Sequence, residues 1–266
     1  MELFEKTRTH VADTIGTGFH HKRLRKLKKA KLTALLSKSN PLLMRAQAVD
    51  TAKPIVKELL DAYAAKSDRG LFADFMKQVA IWVATEANAA TAPRTDSVDA
   101  EFTRDGRHYA LVVKPRSNWG NERQITKTMD AVRAATTAGQ PADVTLLIGS
   151  VKGKGTSEPA PQCEKLSGPD FWRFISNDPQ FETHLIDILE TDAHQHAKKF
   201  LKVYKDTLKS LTEEFEQAFC DSEGKVQWHL LAEFNGDDED EEEEGADDDT
   251  SEEDEGEHAA KEVKPA

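Results

Sequence analysis

The chain has 266 residues, 38% of them hydrophobic, and a formal net charge of −12. No apolar run approaches the roughly 20 residues that span a bilayer, Met1–Thr17 lacks a signal-peptide core, and Cys163 and Cys220 are too far apart for a metal-ligand spacing. A membrane span and a disulfide scaffold are thereby excluded, and a reducing, cytoplasmic setting is expected.

The charge is unevenly placed. Asp237 to Glu257 holds 16 acidic side chains and neither Lys nor Arg, so residues 1–236 alone carry a net charge of +3. That pattern divides the chain into a folded region, 1–236, and an acidic tail, 237–266, expected to be disordered because it has almost nothing to bury. A slightly basic folded region removes the objection that a chain of low pI would repel nucleic acid.

In chain order, Met1–Gly18 is expected to fray. Phe19–Ser37 has helical spacing: Leu24, Leu27, Leu32 and Leu35 share a face, and Lys22, Arg23, Arg25, Lys26, Lys28, Lys29 and Lys31 fill the rest. Lys22 and Arg23 are candidates for DNA-phosphate contacts, although a solvated basic face reads equally well. Asn40-Pro41 marks a turn or helix start. Ala46–Ala64 reads as a helix that Pro54 kinks or divides. Lys66–Gly70 reads as a loop, Leu71–Ala87 as a buried helix, and Asn88–Asp96 as a polar connector.

The next stretch is the most informative. Val98, Ala100 and Phe102 alternate with Asp99, Glu101 and Thr103, which is a strand pattern. Asp105-Gly106 suits a two-residue hairpin turn with positive φ at both central positions, and Arg107–Lys114 returns as a second strand. In that register Thr103 faces His108, Glu101 faces Ala110 and Asp99 faces Val112, so Asp99, Glu101 and Lys114 project from one side. Two carboxylates beside a lysine could hold one Mg2+ and activate water. A hairpin with a solvated polar face and a surface Asp–Lys pair has the same pattern.

Beyond Lys114, the loop 115–121 carries Arg116, Asn118, Trp119 and Asn121. Arg reads guanine and Asn reads adenine where either reaches the major groove, so Arg116, Asn118 and Asn121 are DNA-binding candidates. Asn118 could instead cap the following helix, and Trp119 is expected to anchor the loop in the core. Glu122–Ala138 reads as a helix with Gln124 at its start. Val144–Ser150 is a continuous apolar strand, which a right-handed crossover would set beside the hairpin. Val151–Pro161 is a Gly- and Lys-rich segment expected to be mobile, Phe171–Ser176 is core, Phe181–Cys220 is one or two long helices, and Gly224–Asn235 closes the fold.

The face Asp99, Glu101, Lys114 resembles the PD-(D/E)XK nuclease core. More narrowly, V-D-A-E-F followed by V-V-K-P-R-S-N-W-G-N-E-R-Q resembles a bacterial family of type II restriction endonucleases. Its members read roughly I-D-L-E-F, then I-K-S-G-P-N-W-G-N-x-x-Q. The likeness takes in Phe19-His20, Lys22-Arg23-Leu24, Asn40-Pro41-Leu42, Arg45-Ala46 and Leu71-Phe72. It continues through Cys163, Gly168, Phe171-Trp172, Phe174-Ile175-Ser176, Trp228, Leu231 and Glu233-Phe234-Asn235.

The resemblance implies an α/β, restriction-endonuclease-like fold: a small mixed β-sheet flanked by helices, with helix-rich N- and C-terminal parts. It implies cleavage of double-stranded DNA with Mg2+ as cofactor, Asp99 and Glu101 as metal ligands, Lys114 as the catalytic lysine and Gln124 as a possible catalytic assistant. It also implies a homodimer on a palindromic site and a partner DNA methyltransferase. Three positions depart from the pattern. Val112 stands where the acid two residues before the lysine is usual, Lys114-Pro115-Arg116 replaces Lys-Ser-Gly, and only Asp68 is left of an acidic segment before the helix containing Phe72. The alternatives are a DNA-binding protein that has lost cleavage and an acidic-tailed interaction protein with no nucleic-acid role.

Overall fold

A computed structural model describes residues 2–114, 121–137, 141, 143–154 and 162–236, with side chains at all of these except 191, 192, 194, 195 and 236. It has nine α-helices and four strands among the described residues. They are α1 (Glu2–Ile15), α2 (Lys22–Lys28), α3 (Leu32–Leu36), α4 (Pro41–Ala46), α5 (Ala52–Asn88), β1 (Ala100–Arg104), β2 (Arg107–Lys114), α6 (Glu122–Ala134), β3 (Val144–Ser150), β4 (Cys163–Ser167), α7 (Pro169–Ser176), α8 (Phe181–Phe219) and α9 (Trp228–Gly236). A π-helical stretch, Gly16–His21, joins α1 to α2.

The strands form one mixed sheet in the order β1-β2-β3-β4. β1 and β2 pair antiparallel in the expected register, with Thr103 opposite His108 and Glu101 opposite Ala110. The turn works as its residues dictate: Asp105 has φ +51° and Gly106 φ +75°. β2–β3 and β3–β4 pair in parallel, with α6 bridging the first pair. All of β3 is buried, as its unbroken apolar run requires.

Helices cover both faces of the sheet. On one, Ala100, Phe102, Tyr109, Leu111, Val113 and Leu147 meet the α5 and α7 side chains Phe75, Val79, Val83, Phe171 and Trp172. On the other, Ala110, Leu146 and Ile148 meet Met129 and Val132 of α6. A separate helical core, with Leu36, Ile55, Leu60, Leu211, Phe215 and Leu231, is built by α2–α5, α8 and α9. The 37-residue α5 and the 39-residue α8 run through both cores. At 1.5 Å per residue, each spans about 55 Å.

Several stretches differ from the expected elements. Ala46–Ala64 is not one helix, because α4 ends at Ala46 and α5 begins only at Ala52. In the segment expected to fray, Glu2–Ile15 is helical and buries Val11 and Ile15. Phe19–Ser37 is not one helix, because the chain breaks between Lys28 and Leu32. Lys66–Gly70 lies inside α5, where packing at both ends of the helix outweighs the weak helix propensity of Gly70 and Asp68. Pro54 does not kink α5, since it sits in the first turn, where N–H groups have no intrahelical partner. β4 is an element that the sequence reading did not anticipate.

Candidate active site

Asp99, Glu101 and Lys114 all lie on the antiparallel hairpin, but Asp99 pairs with Lys77 and Glu101 with Arg94, so the two carboxylates are not left side by side. Ala100 opposes Leu111 in the register, and the Asp99 N–H also donates to the Leu111 carbonyl, at 2.7 Å. Two residues of one strand therefore face one of the other, the arrangement of a β-bulge, which re-aims a side chain. The expected pairing of Asp99 with Val112 is therefore not made, and strict alternation fails at this point.

The Asp99 carboxylate is engaged at both oxygens. Its Oδ2 accepts a hydrogen bond from the Val113 N–H at 2.7 Å. Its Oδ1 lies 2.8 Å from Nζ of Lys77 on α5, and the two side chains are 17% and 34% exposed. The aspartate thus sits against the backbone one residue before Lys114, with a cation from the neighbouring helix on its outer oxygen.

Glu101 turns toward a different group and is deeply buried. The Arg94 backbone N–H donates to Oε1 at 2.9 Å, and Arg94 Nε and Nη2 reach the two oxygens at 2.7–3.0 Å. His108 Nε2 lies 2.9 Å from Oε2. Arg94 Nη1 continues the network to Thr136 Oγ1 and the Pro141 carbonyl. Burial alone would push the Glu101 carboxyl pKa up. The hydrogen bonds and charge of Arg94, with His108, outweigh burial and hold it below the ordinary range.

Lys114 ends β2 half-buried, opposite Ser150 in β3, and makes no ion pair among the described residues. Gln124 and Asn121 form a reciprocal cap at the start of α6. The Asn121 side chain accepts from the Gln124 N–H at 2.9 Å, and Gln124 Oε1 accepts from the Asn121 N–H at 3.2 Å. Such a cap satisfies two backbone donors that the helix leaves over. Arg116 and Asn118 lie outside the described residues, as do Trp119 and the tail 237–266.

Lys22 and Arg23 part company. Lys22 is exposed. The Arg23 guanidinium holds Asp68 through Nε, at 2.8 Å to both oxygens, and through Nη2 at 2.7 Å, and it lies 3.4 Å from the centre of the Phe200 ring. Asp68, the acid left from the family's acidic segment, is therefore spent on Arg23.

Lys77 and Arg94 are the residues that the sequence reading missed. Arg94 lies in a proline-containing connector with no periodicity to aim it. Lys77 carried a signal: it is a cation among Phe75, Met76, Val79, Ala80 and Val83, all buried. Among the described residues no cluster of three or more His, Cys, Asp or Glu could hold a metal, and no helix is long and apolar enough to cross a membrane.

The family model described as Type II restriction endonuclease EcoO109I matches residues 5–197, from α1 through the hairpin and sheet into α8. No curated protein matches the chain.

Proposed function

We propose, since the chain belongs to the Type II restriction endonuclease EcoO109I family, that it hydrolyses phosphodiester bonds of double-stranded DNA at a specific sequence, with Mg2+ held at Asp99. The observation that most supports this is the hydrogen bond from the Val113 N–H to Asp99 Oδ2. It ties a carboxylate to the residue that immediately precedes Lys114.

The donors fit a hard cation at Asp99. Mg2+ is bound by one or two carboxylates with substrate phosphate oxygens and water completing its shell, and Asp99 offers one partly exposed carboxylate whose outer oxygen is held by an exchangeable lysine. Glu101 would have to give up Arg94 before it could serve as a second ligand. When bound, the cation would polarise the phosphoryl group and acidify water next to it. Lys114, the half-buried last residue of β2, would orient the attacking water or neutralise charge on the phosphate by hydrogen bonding. The Val113 N–H fixes Asp99, and the Arg94–Glu101 network fixes the strand that carries it. Lys22, Arg116, Asn118 and Asn121 are the residues proposed to meet DNA. A palindromic target would call for a homodimer, and a DNA methyltransferase is the system partner that such an enzyme requires to spare its own genome.

A second reading is favoured by Val112, which stands where the usual acid would, and by the capture of Glu101 by Arg94. In it the chain binds DNA without cutting. Plasmid and genomic DNA at low salt with Mg2+ or Mn2+, using wild type, Asp99→Ala and Lys114→Ala, separates the two. Discrete fragments lost in both variants support cleavage. Intact DNA together with a gel shift supports the second reading.

A further inference from the structure

We infer that Lys77 is an internal counter-ion for Asp99, and that a divalent cation binds this protein by displacing it. The inference rests on the assignment of Asp99 as the cation-holding carboxylate.

The two hairpin carboxylates are neutralised in different ways. Arg94 and Glu101 are 3% and 5% exposed and joined through several hydrogen bonds, so this pair has no route to exchange. Lys77 holds Asp99 by a single contact, at 2.8 Å. It is one-third exposed and has a flexible four-carbon stem, so its ammonium can swing into water while the stem stays on the apolar face of α5. One cation is a fixture and the other is removable.

The removable one sits where a cation would have to bind. Asp99 Oδ2 already accepts the Val113 N–H, and Lys77 takes the other oxygen, Oδ1, so a metal that reaches the carboxylate meets the ammonium there. An ammonium and a divalent ion at one carboxylate oxygen repel each other strongly at such range. Cation affinity at Asp99 is therefore lowered by the strength of the lysine pair. An arriving DNA phosphate offers Lys77 another partner. By linkage, the site would bind its cation better with DNA present than without it.

The test is a titration of Mn2+, followed by the loss of its free-ion paramagnetic signal, on wild type, Lys77→Met, Lys77→Gln and the double variant Lys77→Met/Asp99→Asn, without DNA. Thermal unfolding in the same buffers confirms that each variant is folded, and the glutamine variant stands in if the methionine variant is not. The expected result is Mn2+ binding about fivefold tighter in the Lys77 variants than in wild type, with the gain lost in the double variant. Equal affinities in wild type and the Lys77 variants overturn the counter-ion role and leave the cation site standing. No binding by any variant overturns the counter-ion role and the cation site together. A gain that survives loss of Asp99 places the cation elsewhere and overturns the inference.

Discussion

Arg94 reaches Glu101 with its backbone N–H, Nε and Nη2 together, and 3% and 5% of the two side chains remain exposed. A charge buried to that degree is tolerable only while its partner is present. Arg94→Met should therefore cost about 3–5 kcal/mol, because it strands a carboxylate in a low-dielectric interior. Glu101→Gln/Arg94→Met, which removes both charges, should recover a good part of that loss. Urea unfolding of the three proteins measures it. The pair also sets an acid limit. The Glu101 pKa lies below its ordinary value in the folded chain, so the stabilisation is complete above the ordinary glutamate range of about 4.3 and is lost as pH falls through the lowered folded value. Glu101→Gln should flatten that acid limb.

Arg23 and Lys22 are neighbours with different expected roles. Arg23 links α2 to Asp68 on α5 and to Phe200 on α8. Arg23→Ala should destabilise the fold by about 2 kcal/mol through the combined loss of a bidentate pair and a stacked cation. Lys22 is exposed, so Lys22→Ala should leave stability unchanged within about 0.5 kcal/mol. If Lys22 meets a phosphate, that variant lowers the slope of log affinity against log salt by about one. Unfolding curves and salt-dependent gel shifts read the two effects separately.

The hairpin register was legible in the sequence because two residues set it: Asp105 and Gly106 both take positive φ, and a turn of that type fixes the cross-strand partners from Arg104–Arg107 back to Ala100–Leu111. The bulge at Asp99 was not legible. It depends on one N–H donating to Leu111, and period-two alternation carries no trace of that. The same shift explains why Asp99 and Glu101, two apart in sequence, answer to cations on different elements. The unbroken α5 was hidden for another reason. Asp68 and Gly70 read locally as a loop, but Asp68 is held by Arg23, and the helix on either side is anchored in separate cores. Tertiary packing decided what local propensity could not.

His20 gives the protein a second sensitivity to acid. Its ring is buried, its Nε2 has no hydrogen-bond partner among the described residues, and it stacks on His196 at 3.9 Å between centroids. Burial, then the nearby His196, Arg23 and His21, push its pKa down to about 4. The unfolded chain takes up this proton near pH 6.5 and the folded chain only near pH 4. The neutral ring's contribution is therefore complete above about pH 6.5 and is eroded as pH falls from there toward 4. His20→Phe should remove that slope while keeping a stacked aromatic. Thermal midpoints between pH 7 and pH 4 in the two proteins show whether it does.

Gly149 is required by close approach. It sits in β3 between Val113 and Leu166, and a Cβ added there would lie 1.9 Å from Phe171 Cε2, with two more ring atoms within 2.6 Å. Phe171, on α7, is fully buried against α5 and the sheet, so its ring has no empty space to move into. Gly149→Ala should then destabilise the fold by about 3 kcal/mol, the upper range for overpacking, because backbone and ring must both shift. Gly149→Ala/Phe171→Leu should restore part of the loss, since the smaller side chain vacates the site the methyl needs. Denaturant midpoints for the single and double variants decide it. A single variant as stable as wild type would mean that the ring and strand separate more easily than the packing around Phe171 implies.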